Sequence, residues 1–112
     1  MELADVLVTA PRDAVALVEL KGEHDYATRS ELGSLLESLV AENELVVVDV
    51  SHALFIDSSV ITNLLRASRA ASSRAHRFRL HVGTAPLVGR VLEISGVLQV
   101  IEHTTTREAA LA

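Results

Sequence analysis

The chain has 112 residues and no cysteine, which rules out a disulfide framework and any thiolate metal or redox chemistry. Its length suits one domain, residues 1–112, with a modest core. A net charge of −5 and a 3% aromatic content leave neither the basic patch nor the stacking surfaces of a nucleic-acid binder. The N-terminal MELADVLVTA lacks the basic region and apolar run of a secretion signal. No apolar stretch approaches the roughly 20 residues of a membrane span. These features predict a cytoplasmic protein with no membrane partner.

With 49% hydrophobic residues and so few aromatics, the core must come from Val, Leu, Ile and Ala. Ala4 to Thr9 and Ala14 to Leu20 read as two strands of a hairpin, with Pro11-Arg12-Asp13 as the turn and Gly22 as the stop. A loop, Glu23-His24-Asp25-Tyr26, follows. Thr28 or Ser30 then caps a helix, and Glu31, three residues after Thr28, fits a capping box. Leu32, Leu35, Leu36, Leu39 and Val40 recur there at helical spacing. Glu44 to Val50, with four valines, reads as a central strand buried on both faces, broken at Ser51-His52.

Asp57-Ser58-Ser59 signals a helix start. Beyond it Ile61, Leu64, Leu65 and Ser68 share an inner face, and Thr62, Asn63, Arg66 and Arg69 an outer one. Arg77 to Val82 alternates as a strand, with Phe78, Leu80 and Val82 on one side. A helix from about Ala85 to Ile94 has Pro86 in its first turn and Gly96 as a left-handed cap. Val97 to Ile101 reads as the last strand, and Thr104 or Thr105 caps a final helix through Ala110. Alternating strands and helices predict an α/β fold. Its sheet has four or five mostly parallel strands and an edge hairpin, with about four helices mainly on one face.

Charge is uneven along the chain. Most acids precede Ser58, whereas Arg66, Arg69, Arg74, Arg77 and Arg79 fall in one short stretch. Such a run is either a solvated helix face or a surface for an acidic partner. His24, His52, His76, His81 and His103 follow no metal-ligand spacing, and Asp49 and Asp57 lack a third ligand or catalytic base. No Gly-x-Ser-x-Gly elbow is present, and Gly83-Thr84-Ala85-Pro86 is too poor in glycine for a phosphate loop. Catalytic residues, a metal site and a cofactor are therefore not expected.

Asp49-Val50-Ser51-His52-Ala53-Leu54-Phe55-Ile56-Asp57-Ser58-Ser59 runs from a hydrophobic strand through a loop into a helix. This segment resembles the signature of the STAS family, named for sulphate transporters and anti-sigma factor antagonists. Gly22-Glu23-His24-Asp25 resembles the family's Gly-Glu-x-Asp loop, and the Gly96-Val97-Leu98 turn its Ser-Gly-[Leu/Val] step before the last strand. The likeness spans essentially the whole chain and implies a regulatory, non-enzymatic bacterial protein, an antagonist of an anti-sigma factor.

The resemblance further implies that Ser58, or less readily Ser59, is phosphorylated by an anti-sigma factor with serine kinase activity. A PP2C-type phosphatase resets the switch. Asp25, Asp57, Ser58, Ser59, Thr62, Asn63 and Arg66 would meet the partner, and the protein would be a monomer or weak dimer. Asp57-Ser58-Ser59 is also an ordinary helix cap, and Asp25 an ordinary turn residue. Val60 replaces the glycine the family places after the second serine, setting a branched side chain beside the phosphosite. The other role open to such a module is a scaffold or adaptor without phosphorylation, in a stressosome-like or transport assembly.

Overall fold

The computed structural model describes residues 5–24, 26–83 and 86–112. Five strands form one sheet in the order β1-β2-β3-β4-β5: Val6–Arg12, Val15–His24, Leu45–Ile56, Arg77–His81 and Glu102–Thr104. β1 is antiparallel to β2, and every other neighbouring pair is parallel. The crossovers are helices α1 (Arg29–Glu42), α2 (Ser58–Ser73) and α3 (Pro86–Ser95), and α4 (Arg107–Leu111) closes the chain. The α/β architecture expected from the strand–helix alternation is borne out.

Strand order explains the layering. From β2 to β5 each crossover moves to the next strand in the same direction. Crossovers of one hand therefore place their helices on one face of the sheet. Leu32, Leu36 and Val40 of α1, Ile61, Leu64 and Ala67 of α2, and Val88 and Leu92 of α3 all enter one core with Val18, Val46, Val48 and Leu80. The opposite face is covered more thinly. There Val15, Leu17, Leu45 and Val47 pack against Ala110 of α4. β3 is thus buried on both faces, which its nearly unbroken valines require.

The structure moves several predicted boundaries. Ala4 lies outside the described residues. Pro11 sits within β1 rather than in the turn, because Arg12 pairs with Val15 and leaves Asp13-Ala14 as the connection. β1 is an edge strand whose pairing slips between Thr9 and Arg12, and an edge irregularity tolerates proline's missing N–H. Ala14, the second residue of that connection, takes the left-handed conformation at φ 62°. Gly22 does not end β2, which continues to His24. β3 likewise runs through Ser51-His52 to Ile56, because those residues pair with β2 instead of breaking away.

Thr28 precedes α1, but its side chain makes no capping hydrogen bond, so the predicted capping box does not form. Val97–Gln99 is a single 3-10 turn after left-handed Gly96, and the last strand begins at Glu102. The cap of α4 is Thr106, one residue past the nearer candidate, with its hydroxyl accepting from Ala109 N–H.

The arginine stretch does not form one surface. Arg66, Arg69 and Arg74 are exposed, whereas Arg79 is buried under α4. Its Nη1 donates to the carbonyls of Ala109 at 3.3 Å and Ala110 at 2.5 Å, and its Nε lies 3.2 Å from Glu102. Arg12 donates to the carbonyl of Leu111. Two guanidiniums therefore meet the carbonyl end of α4, the favourable pole for a cation. Partial burial pushes the Glu102 carboxyl up, but hydrogen bonds and attraction from Arg79 and Arg77 outweigh it and hold it below its ordinary value.

Gly83 follows β4 at φ 64°, and a Cβ there would lie 2.6 Å from Cβ of Ser51. Gly83→Ala combines left-handed strain with that collision, and the expected loss is about 2–4 kcal/mol. A thermal melt should fall by roughly 10 °C or more. Gly89→Ala, inside α3 with only ordinary contacts around it, should instead be neutral or slightly stabilising.

Candidate functional site

β3 delivers the site. Its last residue, Ile56, is buried, and Asp57 turns the chain into α2 from an extended conformation. The Asp57 carboxylate accepts from the backbone N–H of Ser59 at 2.9 Å and of Val60 at 3.4 Å. The Ser59 hydroxyl also donates to it. These bonds satisfy donors that a helix start leaves open, and place negative charge at the positive end of the helix dipole. The capping role of Asp57 is therefore realised.

The two serines are thereby separated. Ser59 is half-buried and its hydroxyl is committed to the cap. Ser58 is exposed, and among the described residues its hydroxyl makes no hydrogen bond. Its carbonyl accepts from the Thr62 hydroxyl at 3.0 Å. Ser58, Thr62 and Arg66 are spaced by four residues and form one exposed stripe along α2.

Val60 does not stand beside the Ser58 hydroxyl. It is 1% exposed and packs in the main core, since the third residue of α2 faces the sheet. Asn63 also departs from the expected outer face. It is buried between α1 and α2, where its Nδ2 donates to the carbonyl of Arg29 at 2.9 Å. Gly33 of α1 makes room for it, because a Cβ there would lie 2.8 Å from Asn63 Oδ1. Asn63 thus links the two helices at the base of the cleft between them. Asp25 lies outside the described residues.

Between the helices lies an open cleft of about 660 Å³, lined by Arg29, Ser30, Ser34 and Glu37 of α1 and by Ser58, Thr62 and Arg66 of α2. Sequence reasoning missed the α1 wall. Its signal is the polar stripe Ser30, Ser34, Glu37, which recurs at helical spacing opposite Leu32, Leu36 and Val40. Leu54 and Phe55 were also missed as surface residues. They are 69% and 45% exposed and stand just before the Asp57 turn. The site thus combines an accessible hydroxyl at a helix N-terminus, a polar cleft edged by two arginines, and an exposed apolar pair. That composition suits protein recognition.

A family model described as "Mlab, STAS domain" matches residues 8–102. An anti-sigma factor antagonist from Mycobacterium paratuberculosis has a similar structure, with TM-score 0.83, 23% identity, and coverage of 99% of this chain and 96% of that one. The Bacillus cell fate determinant SpoIIAA in its phosphorylated form is similar at TM-score 0.73 and 18% identity, covering 95% and 96%. A sulfate transporter family protein from Wolinella succinogenes follows at 0.75 and 14%, covering 92% and 86%. No curated protein matches the chain by sequence. At these identities the likeness establishes the fold.

Val60→Gly removes buried aliphatic surface and adds helix entropy, so urea unfolding should show a loss of about 2–4 kcal/mol. Asn63→Ala should lose about 1–3 kcal/mol in the same assay, because it deletes the hydrogen bond across the helix pair.

Proposed function

The chain belongs to the STAS domain family, and from that premise we propose that it is an anti-sigma factor antagonist switched by phosphorylation of Ser58. Unphosphorylated, it binds an anti-sigma factor that is also a serine kinase, and so releases a sigma factor for transcription. Phosphate on Ser58 ends the complex, and a PP2C-type phosphatase restores it. The protein is a phosphorylation substrate and not an enzyme, and it works in the cytoplasm as a single domain, a monomer or weak dimer. The observation that carries this reading is the exposed Ser58 hydroxyl at the start of α2, beside a Ser59 hydroxyl tied to Asp57.

Phosphorylation would add roughly −1.5 to −2 charges at neutral pH. The helix N-terminus tolerates them, so the fold survives. A partner surface fitted to a neutral hydroxyl does not, and Asp57 adds like-charge repulsion. Binding is lost through electrostatics and desolvation, with no need for backbone movement. Ser58, Ser59, Asp57, Thr62 and Arg66 supply the polar contacts, Leu54 and Phe55 the apolar ones, and Asp25 is a further partner contact.

A second reading is a constitutive adaptor in a stressosome-like or transport assembly, favoured by the structural likeness to a sulfate transporter family protein. The variants Ser58→Ala and Ser58→Asp separate the two. A switch predicts that Ser58→Asp binds the cognate anti-sigma factor at least about tenfold more weakly than Ser58→Ala, a difference of about 1.4 kcal/mol. Equal affinities, measured by calorimetry, would leave the adaptor.

A further inference from the structure

The α4 face of the sheet carries a row of polar side chains that the switch does not use. Glu19 of β2 pairs with Asp49 of β3, and Asp49 with His81 of β4. All three are buried. They lie beyond the apolar patch that α4 covers, towards the C-terminal ends of the parallel strands. The pairing of β2 with β3 then slips, because Glu19 to Lys21 spans two steps while Asp49 to His52 spans three. Val50 and Ala53 both enter the main core, so Ser51 and His52 between them are left to the other side. The extra residue swings exposed His52 towards the row.

As a result one ligand atom each from Glu19, Asp49 and His52 lies within 4.8 Å of the others. His81 stands beside Asp49 at the edge of this group, with its Nε2 4.0 Å from Asp49 Oδ1, too far for a hydrogen bond. Its side chain is only 9% exposed, and among the described residues its Nδ1 finds no hydrogen-bond partner. Enclosure leaves that Nδ1 unsatisfied, a costly arrangement.

We propose that Glu19, Asp49, His52 and His81 bind a divalent transition-metal ion of the zinc type. Two imidazoles and two carboxylates are a donor set such ions accept. Ligand bonds of about 2.0–2.2 Å bring donors to about 4 Å apart or less, which rotation of His52 and Glu19 supplies. A cation also relieves the two neighbouring buried carboxylates, which otherwise have Arg107 Nη1, 3.4 Å from Glu19, as their cationic neighbour. The Ser51 N–H and hydroxyl hold Asp49 Oδ1 at 2.8 and 2.6 Å, the kind of support that orients a ligating carboxylate. Exposed His52 provides the entry side.

Zinc chloride titrated by calorimetry into the chelator-treated full chain tests this. The expected result is one ion per chain at micromolar affinity or tighter, weakened at least tenfold in His52→Ala and unchanged in His103→Ala. Cobalt(II) should give a visible absorption band that His52→Ala abolishes. His52 is exposed, so its variant should fold, which circular dichroism checks. Absence of saturable zinc binding, or binding of equal strength in His52→Ala, would overturn the site.

Discussion

The structure depends on the strand β3 running without interruption from the middle of the sheet to the threshold of α2. Valines buried on both faces anchor its first half. Pairing with the extended end of β2 carries its second half past Ser51 and His52. Only because Ile56 is seated in the core does Asp57 arrive where its carboxylate can close the first turn of α2. The cap is therefore a consequence of the strand, and the exposure of Ser58 is a consequence of the cap.

The same strand divides the molecule. On one side three crossover helices share a single core, as a strand order that advances in one direction dictates. On the other side a five-residue helix covers only part of the sheet, held by arginines at its carbonyl end. A helix that short has little intrinsic stability, so Arg79 and Arg12 do what helix length cannot. What α4 leaves uncovered is the polar end of the face, where Glu19, Asp49 and His52 converge, with His81 beside Asp49.

At the cleft, rigidity and accessibility come from different residues. Asn63 and Gly33 fix how α1 meets α2, and Val60 fixes how α2 meets the sheet. The stripe of Ser58, Thr62 and Arg66 stays exposed on that scaffold. The proposed phosphate on Ser58 would change the charge of this surface without changing its shape, since Ser58 faces solvent and a helix start favours anions.

Much of this was legible in the residues themselves. Valine runs, helical spacing and the strand–helix alternation specify the α/β class, and Asp57-Ser58-Ser59 specifies a helix start, because these depend on local periodicity and capping chemistry. Left-handed Gly96 is local in the same way. Which face a side chain occupies was not local. Asn63 and Val60 were misplaced because a helix's inward arc is set by what packs against it, and a short amide fits where two helices approach over a glycine. The limits of β2 and β3 were misjudged because pairing between strands overrides the stopping tendency of Gly22 and Ser51. The cluster of Glu19, Asp49, His52 and His81 could not be read from spacing at all. Its members lie on three strands, and only sheet register and one extra residue in β3 bring them together.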